Sequence, residues 1–468
     1  MDRQDERLCT VVEAAEAAGG RLVQGLPATD LFAVSTDSRT PAPGALFVAL
    51  AGEHFDGARF CGDAVEAGAV AVMLPIASRA SGRWQPVPAS VAVVEVEDTL
   101  RALGDLAAWH RGRHGCRVVG ITGSNGKTTT KEMTVSVLGG APDVAFNRGN
   151  FNNLIGMPLS LLGLRASHRH AVLEMGMNAP GEIARLAEIA RPQVGVLTNV
   201  HPVHLLGLGG IEAVSRAKAE LLEALPASGV AVINADDPFV LKAAERSPAQ
   251  RLSFGTSPVA DVRIGAVRQE KLELHFVLKL PEEEIELRLP HLGLHNAHNA
   301  AAAAAVGVAE GVAPAQIAER LARAAWPPMR MERKDLGVAR LLVDCYNANP
   351  RSVHAAIQTL TAVAAGERRL AVLGDMLELG EATAELHRQT GHVVAEAGLD
   401  ALCAFGPAAR DIARGARDAG MQDVLETESV DAAVGFLLDR LGEGAWVLVK
   451  GSRGMRMERI VEALEKRS

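Results

Sequence analysis

The feature that most constrains the fold of this chain is the segment 118–130, where an apolar run leads into the loop Thr-Gly-Ser-Asn-Gly-Lys-Thr. The pattern predicts a strand, a tight turn and a helix in that order, with the helix beginning at Thr128. Glycines allow successive backbone N–H groups to turn toward one point, and the helix adds the positive end of its dipole. Such a loop is typical of a phosphate-binding site, and a strand-to-helix turn that is simply rich in glycine is the alternative.

The side chains of this loop predict nucleotide binding. Lys127 supplies a positive charge for the terminal phosphates, and Thr128 supplies a hydroxyl for Mg²⁺. The spacing departs from the common G-x-x-x-x-G-K-[ST] pattern, because Ile121 stands at the place of the first glycine and the nearby glycines are Gly120 and Gly123. The residues that we predict to bind ATP are Gly123, Ser124, Asn125, Gly126, Lys127, Thr128 and Thr129.

Length and composition exclude several classes of protein. The 468 residues exceed what a single hydrophobic core usually supports. The formal net charge of −8, without an arginine-rich stretch, argues against a nucleic-acid partner and favours a small-molecule one. Five scattered cysteines without a C-x-x-C pair favour a reducing cytoplasm over a disulfide framework. No apolar run reaches the ~18 residues of a membrane helix and the amino terminus is charged, so we expect neither membrane insertion nor a signal peptide.

We predict an α/β fold of three domains. Residues 1–110 form a small α/β unit that ends in a helix capped by Asp98, and a polar linker is expected over 109–115. Residues 111–327 hold the phosphate loop and several apolar strands, while residues 328–468 alternate strands with amphipathic helices. That alternation predicts mostly parallel sheets wound by helices. The alanine run in the middle unit predicts a closely packed helix rather than disorder, because alanine is the best helix former.

Two strand ends carry candidate metal ligands. Glu174 ends an apolar strand, where a carboxylate can meet a nucleotide-bound Mg²⁺; a solvated turn residue is the alternative. His204 follows another apolar strand and is either an Mg²⁺ ligand or a core histidine. The pairs His201/His204 and His295/His298 have H-x-x-H spacing, but neither has the H-E-x-x-H form or a clear third ligand. We therefore do not expect zinc.

Lys218 lies in the apolar stripe of a helix predicted over 211–225. It follows Ile211 by seven residues and so falls on the same face as the leucines of the helix. A lysine on the inward face incurs a desolvation cost unless it is paired, neutralised or modified. The alternative is a lysine at the edge of the stripe whose ammonium group reaches solvent.

Three polar segments stand where loops are expected. Residues 149–158 carry three asparagines between glycines, and their amide groups can serve ligand oxygens. Residues 293–299 open the alanine-rich helix. Residues 344–350 follow an apolar strand and contain the only tyrosine of the chain. Each segment taken singly is typical of turn chemistry.

Together, and in order over nearly the whole chain, these segments resemble the motifs of the Mur ligase family, whose members form amide bonds at the expense of ATP. The matching segments are 122–128, 173–176, 199–205, 216–218, 234–238, 295–299 and 344–350. The resemblance implies an N-terminal UDP-binding domain, a central P-loop ATPase domain with a mostly parallel sheet, and a C-terminal Rossmann-like domain that binds the acceptor.

Within the family, residues 149–156, 346–350, 373–380 and 450–453 resemble the members that join D-alanyl-D-alanine to UDP-N-acetylmuramoyl-tripeptide, and residues 35–50 resemble the UDP-sugar domain. The resemblance implies that ATP phosphorylates the terminal carboxylate of the tripeptide to give an acyl phosphate. The amine of the dipeptide then attacks the carbonyl, and the products are a peptidoglycan precursor, ADP and phosphate. A cytoplasmic monomer is expected.

The resemblance also implies roles for individual residues. Catalysis would depend on Lys127, Glu174, His204 and Lys218, with CO₂ bound to Lys218 as a carbamate. Two Mg²⁺ ions would be held by Thr128, Glu174, His204 and modified Lys218. The nucleotide would also contact Asn296, Asn299, Arg330 and Asp344. Ser38 and Arg39 would hold the uridine diphosphate, and the other substrate contacts would come from Asn150, Asn152, Asn153, Tyr346, Asn347 and Asn349.

The sequence departs from the family pattern at four positions, which concern the shape of loops rather than charged groups. They are Leu154 for a polar residue, His201 and Met329 for glycine, and Cys345 for serine. The competing functions are the sibling ligase that adds a diamino acid, folate polyglutamylation and a nucleotide-regulated binding module. The last would have no use for an inward lysine together with paired metal ligands.

Overall fold

The computed structural model describes residues 6–52, 55–201, 210–270 and 272–467. Within these residues the strands form sheets of five, ten and six strands and one two-stranded ribbon, and helices pack on the sheets. The predicted α/β fold class is confirmed. No helix in the described segments combines the length and hydropathy that crossing a lipid bilayer requires.

The first sheet has one antiparallel pair followed by parallel pairs. Its strands, in spatial order, are Arg21–Gln24, Ala92–Val96, Ala69–Pro75, Ala45–Val48 and Ala33–Ser35. The ribbon pairs Cys9–Thr10 with Asp30–Leu31. The α-helices of this region are Val11–Ala17, Cys61–Glu66, Ile76–Ala80 and Thr99–Gly112.

The linker predicted over 109–115 is wrong in its first part. The helix Thr99–Gly112 begins after Asp98, whose carboxylate caps it as predicted, but the helix continues to Gly112. His110 and Arg111 are buried, and the Arg111 guanidinium donates a hydrogen bond to the Ala190 carbonyl at 3.1 Å. The polar residues of this segment pack between two units of the chain. Their polarity was therefore not a sign of an exposed loop. The predicted boundary between residues 110 and 111 lies inside this helix.

The central sheet contains seven parallel strands and an antiparallel extension. The parallel strands, in spatial order, are Val262–Ile264, Gln250–Gly255, Val230–Asn234, Val194–Leu197, Arg117–Thr122, His170–Glu174 and Val144–Phe146. The extension consists of Glu273–Lys279, which pairs with Val262–Ile264, and its neighbours Arg268–Glu270 and Glu284–Leu289. The helices are Lys127–Val137, Gly156–Leu161, Glu182–Ala190, Ile211–Glu223, Pro238–Ala244, Asn296–Ala309 and Pro314–Ala322.

Strand order brings the predicted site residues to one edge of this sheet. The strand Arg117–Thr122 lies between His170–Glu174 and Val194–Leu197, and the register pairs Ile121 with Glu174 and Thr122 with Leu197. Because the three strands are parallel, their carboxyl ends meet. The phosphate loop, the Glu174 carboxylate and the segment after Leu197 therefore lie side by side.

Alanine sets the distance between the helices on one face of the central sheet. The helix Asn296–Ala309 confirms the predicted helix, and residues 300–305 are completely buried against the sheet and the helix Lys127–Val137. A Cβ added at Gly307 would collide with Val137. Small side chains thus allow the close packing that holds the phosphate-loop helix in place.

The C-terminal sheet has one antiparallel edge pair and four parallel pairs. Its strands, in spatial order, are Glu332–Asp335, Ala339–Asp344, Ala445–Lys450, Arg369–Gly374, Ala401–Phe405 and Val424–Thr427. The α-helices are Pro350–Val363, Thr383–Glu396, Ala409–Asp418, Val430–Leu438 and Glu458–Glu465. The last strand of the chain enters between two earlier ones, so the loops after Asp344 and Lys450 are neighbours.

An ion network lies at the amino-terminal ends of two central strands, Arg117–Thr122 and His170–Glu174. Glu310, just after the alanine-rich helix, accepts hydrogen bonds from Arg117 at 2.7 and 2.8 Å and contacts His170 Nε2 at 3.2 Å. Burial raises the pKa of the Glu310 carboxyl, but the hydrogen bonds from His170 and Arg117 outweigh burial and lower the pKa below its usual value. Its charged form is therefore a stabilising feature of the fold.

We expect Glu310→Gln to lower the free energy of unfolding by about 1–3 kcal/mol at pH 7, because it weakens charge-assisted hydrogen bonds. The difference from wild type is full above the unfolded-state pKa of about 4.3 and disappears as the pH falls through the lower folded-state value. Urea unfolding at several pH values measures it. Glu319→Gln, which removes an exposed ion pair with Arg323, is the control and should cost less than ~0.5 kcal/mol. A pH-independent difference for Glu310→Gln would contradict the assignment.

Candidate active site

A cavity of about 850 Å³ lies where the carboxyl ends of the central and C-terminal sheets face each other. Its size is that of an ordinary small-molecule site. From the central region it is lined by the predicted residues Ser124, Asn125, Gly126, Lys127, Thr128, Thr129, Asn150, Asn152, Asn153, Glu174, Lys218, Asn296 and Asn299. From the C-terminal region it is lined by Arg330, Asp344, Tyr346, Asn347 and Asn349. Of the remaining predictions, His204 falls outside the described residues.

The phosphate loop has the backbone that its glycines predict. Gly123 and Gly126 have φ of +151° and +79°, and an added Cβ would collide with Thr198 at the first position and with Asn299 at the second. The helix begins at Lys127, one residue before the predicted start. The Lys127 ammonium group donates to the Gly123 carbonyl at 2.8 Å, so the side chain folds back over its own loop. Burial lowers the pKa of this lysine.

The Thr128 hydroxyl and the Glu174 carboxylate are in direct contact. Thr128 Oγ1 donates to Glu174 Oε2 at 2.7 Å and accepts from Arg330 Nη2 at 2.9 Å. Glu174 is 3% exposed, and its other oxygen accepts from Asn152 Nδ2 at 2.8 Å. A solvated turn residue, the alternative for Glu174, is therefore excluded. Two oxygen ligands suited to a hard cation lie side by side at the cavity wall.

Lys218 faces inward, as the apolar stripe predicts. Its side chain is 2% exposed, and its ammonium group has no hydrogen-bond or ion-pair partner within the described residues. Burial, together with the nearby positive charge of Lys127, lowers the pKa of Lys218 well below its usual value. The alternative of a lysine that reaches solvent is wrong. This environment therefore disfavours the charged ammonium form of Lys218.

The asparagine-rich loop uses its amides in different ways. Asn152 binds the Glu174 carboxylate, as described above. The Asn153 side chain accepts from the N–H groups of Ile155 and Gly156 at 3.1 and 2.8 Å, which shapes the start of the next helix. Asn150 and Asn153 are both exposed at the cavity, and Asn152 is half-buried. Two of the three asparagines of this loop thus have hydrogen-bond partners within the protein.

The C-terminal sheet contributes two contacts to the phosphate loop. Arg330 reaches Thr128, and its guanidinium lies 4.3 Å from the centroid of the Tyr346 ring. Asn349 Nδ2 donates to Asn125 Oδ1 at 2.6 Å and the same side chain caps the helix Pro350–Val363. These contacts complete the cavity from the side opposite the central sheet.

Two further predicted groups lie at the cavity with partners of their own. Asn299 Nδ2 donates to Asn296 Oδ1 at 2.7 Å at the start of the alanine-rich helix. Asp344 forms an ion pair with buried Lys450 at 2.6 Å, and Lys450 also donates to the Asn347 carbonyl at 3.0 Å. His298, which belongs to one H-x-x-H pair, contacts Asp236 at 2.9 Å. No group of three or more His, Cys, Asp or Glu in the described residues is arranged as a metal site.

Ser38 and Arg39 do not line this cavity. They belong to the loop after the strand Ala33–Ser35, and Arg39 forms an exposed ion pair with Asp37 at 2.7 Å. The structure therefore places these two residues outside the cavity that the phosphate loop lines.

Three family models match the chain in sequence order. The Mur ligase family, catalytic domain matches residues 32–111, the Mur ligase middle domain matches residues 121–307, and the Mur ligase, glutamate ligase domain matches residues 329–453. A protein of Bacillus subtilis (strain 168) named UDP-N-acetylmuramoyl-tripeptide–D-alanyl-D-alanine ligase is 37% identical over 461 residues, covering 97% of this chain and 98% of that protein. The chain belongs to the Mur ligase family.

Solved structures agree with this membership. MurF from Acinetobacter baumannii is 32% identical with a TM-score of 0.89, and the match covers 98% of this Mur ligase and 99% of that chain. The MurF ligase from Thermotoga maritima, solved in complex with ADP, is 29% identical with a TM-score of 0.82, covering 93% and 97% of the two chains. The resemblance inferred from the motifs and the prediction of a ligase are confirmed.

Sequence reasoning missed residues of this Mur ligase that hold others in place. Asn147 is 2% exposed and bonds the backbone of Glu174 through both atoms of its amide. Lys131 and Lys450 are buried lysines that it assigned no role in the site. Asn147 directly follows the strand Val144–Phe146, and this position was the only sequence signal for it. An uncharged polar residue at a strand end is common, so the signal did not distinguish Asn147 from the polar residues that follow it.

The four departures from the family pattern have local consequences. Met329 adopts φ of +56°, a left-handed backbone that favours glycine, so this Mur ligase keeps the glycine-like turn without the glycine. Burial raises the pKa of the Cys345 thiol to about 12. Leu154 packs against the core beneath the asparagine-rich loop. His201 lines the cavity beside the phosphate loop.

We expect the His201 imidazole to titrate near pH 4 rather than near its ordinary value. Burial and then the positive charge of Arg351 disfavour the charged ring and lower the pKa of His201 to about 4. NMR of the ring proton across pH 3.5–8 measures this value, and His201→Gln assigns the signal. A midpoint between pH 6 and 7 would show that the ring is solvated.

Proposed function

We propose that this Mur ligase joins D-alanyl-D-alanine to UDP-N-acetylmuramoyl-tripeptide with hydrolysis of ATP to ADP and phosphate. The observation that carries the proposal is that the phosphate loop, the Thr128–Glu174 pair and the buried Lys218 line one cavity with polar loops of the C-terminal sheet. The names of the relatives in B. subtilis and A. baumannii support the same substrates.

The proposed chemistry overcomes the poor leaving group of a carboxylate. Transfer of the terminal phosphoryl group of ATP to the tripeptide carboxylate gives an acyl phosphate, and attack by the dipeptide amine on its carbonyl carbon forms the amide and expels phosphate. Lys127 would leave the Gly123 and Ser124 carbonyls and bind the transferring phosphoryl oxygens. This work is positioning and electrostatic stabilisation.

The cavity fits Mg²⁺. Thr128 and Glu174 offer the oxygen ligands that this cation prefers, and their oxygens lie 2.7 Å apart. When bound, Mg²⁺ would neutralise charge on the nucleotide phosphates. Thr128 would then exchange its hydrogen bond to Glu174 for the metal, and Arg330 would be released toward the phosphates. We propose a second ion held by Glu174, His204 and modified Lys218.

Lys218 fits a carbamate. Its lowered pKa favours the neutral amine, whose lone pair can attack CO₂ with loss of a proton. The product carries one negative charge in place of a buried amine. The positive charge of Lys127, which disfavours a second positive charge on Lys218, would attract this anion. Lys218 would thereby become a metal ligand.

We assign the remaining predicted residues by the surface on which they lie. Asn296, Asn299, Arg330 and Asp344 would contact the nucleotide; the Arg330 Nε is buried without a hydrogen-bond partner in the described part of the chain and so offers a donor. Asn150, Tyr346 and Asn347 would contact the peptide substrates, with Asn152, Asn153 and Asn349 shaping the same surface. Ser38 and Arg39 would hold the uridine diphosphate.

The units of the chain would divide this work. We propose that residues 1–110 bind the UDP-sugar, residues 111–327 bind ATP, and residues 328–468 bind the acceptor. We further propose a cytoplasmic monomer, which the five buried free cysteines support since a reducing compartment preserves them.

The proposal is tested by phosphate release from ATP in the presence of Mg²⁺. Release should require both a UDP-N-acetylmuramoyl-tripeptide, ending in diaminopimelate or in lysine, and D-alanyl-D-alanine. Lys127→Ala should reduce it by roughly 10²-fold or more, because a preorganised charge on the transferring group is lost. Release with the dipeptide precursor and a free diamino acid, or with a folate and glutamate, would favour the corresponding sibling ligase instead.

We expect Lys218→Ala to lower turnover by roughly 10²-fold and to regain part of it with added formate or acetate, because a small carboxylate can occupy the space of the carbamate. Lys242→Ala, which removes an exposed lysine from a neighbouring helix, is the matched control and should behave as wild type with or without these acids. A fully active Lys218→Ala variant would refute the carbamate.

A further inference from the structure

We propose that Lys131 and Asn147 are positioning residues that fix the separation between the Thr128 hydroxyl and the Glu174 carboxylate. Neither residue is explained by the assignments made above. The inference rests on the proposed function, because it concerns the two oxygen ligands proposed for one Mg²⁺ ion.

The four residues form a closed ring of covalent and hydrogen-bonded links. Thr128 and Lys131 lie one turn apart on the helix Lys127–Val137. Lys131 Nζ donates to the Asn147 carbonyl at 2.6 Å. Asn147 Oδ1 accepts from the Glu174 N–H at 2.9 Å, and its Nδ2 donates to the Glu174 carbonyl at 2.8 Å. Thr128 Oγ1 closes the ring at the Glu174 carboxylate, 2.7 Å away.

Each link of this ring is shielded from water. Lys131 is 1% exposed, and Asn147, Glu174 and Thr128 are also buried. Hydrogen bonds in such surroundings are stronger than at the surface, and breaking one leaves a buried group without a partner. The ring therefore resists changes in the distance between the phosphate-loop helix and the end of the strand His170–Glu174.

The Lys131 ammonium group would have favourable partners even without its hydrogen bond to the Asn147 backbone carbonyl. The Lys131 ammonium group already forms an ion pair with Glu132 at 2.8 Å and lies 5.4 Å from the centroid of the Phe146 ring. Burying a charge is costly even when it is paired, and an apolar residue of similar volume would avoid that cost. The additional contact with Asn147 is the one that a long apolar side chain would lose.

The Asn147 amide also extends the ring to the asparagine-rich loop. Its Nδ2 donates to the Phe151 carbonyl at 2.8 Å, so every hydrogen-bonding atom of the amide has a partner. Asn152 from the same loop holds the Glu174 carboxylate. One side chain therefore positions both the proposed metal carboxylate and the loop proposed to contact the peptide.

The experiment compares Asn147→Ala and Lys131→Met with Glu132→Gln, which removes the charge of the ion pair and keeps the Lys131–Asn147 hydrogen bond. Calorimetry measures the dissociation constant of ADP with and without Mg²⁺, and kinetics measure the Mg²⁺ concentration for half-maximal phosphate release. In the first two variants we expect the gain in ADP affinity from Mg²⁺ to fall, and the half-maximal Mg²⁺ concentration to rise, by roughly tenfold or more. Affinity for ADP alone and the values for Glu132→Gln should match wild type.

Circular dichroism shows whether each variant is folded, and a second Asn147 variant provides a further control. Asn147→Asp keeps the shape and the acceptor for the Glu174 N–H but removes both donors, and it should give the same Mg²⁺ defect. Folded variants with wild-type Mg²⁺ dependence would overturn the positioning role, and so would an equal loss of ADP affinity with and without the metal. The ADP measurements require no turnover, so a wild-type protein that binds ADP but ligates nothing would refute the proposed function without deciding the role of Lys131 and Asn147.

Discussion

The contact between the Thr128 hydroxyl and the Glu174 carboxylate joins the two chain segments on which the site depends. Thr128 belongs to the helix after the phosphate loop, and Glu174 ends the neighbouring strand. Parallel pairing with a common register makes the contact possible, because it brings both strands to the same edge. The ring through Lys131 and Asn147 then holds the contact, and Arg330 adds a link to the C-terminal sheet.

Features with a local cause could be predicted from the sequence. The phosphate loop follows from glycines that must adopt positive φ, and the inward direction of Lys218 follows from helical periodicity. The position of Glu174 beside that loop could be expected because this carboxylate ends an apolar strand. In each case a few residues contain the whole physical reason, so no knowledge of distant partners was needed.

Features that depend on distant partners could not be predicted. The polar segment 109–115 suggested a linker, but its buried arginine finds a carbonyl on a helix far along the chain. Asn152 was predicted to contact substrate because its hydrogen-bond partner, Glu174, is 22 residues further along the chain and is not indicated by the residues around Asn152. The burial of Lys131 could not be predicted either, because the pattern of apolar residues in the helix Lys127–Val137 does not place a lysine in the core. These outcomes were decided by tertiary packing, which sequence patterns near each residue do not contain.

Three lysines of the central region show how partners decide what a lysine side chain can do. Lys131 has both an anion and a carbonyl as partners, and these two contacts fix the position of its ammonium group. Lys127 has, in the part of the chain that the structure describes, only carbonyls of its own loop as partners. A phosphate can displace them at small cost, because backbone dipoles are weaker partners than an anion. Lys218 has neither within the described residues and is pushed toward the neutral amine by burial and by Lys127. If Lys127 had the partners of Lys131, it would be a structural lysine where a phosphate-binding one is proposed. The difference between the two lysines therefore lies in their neighbours and not in the residue type.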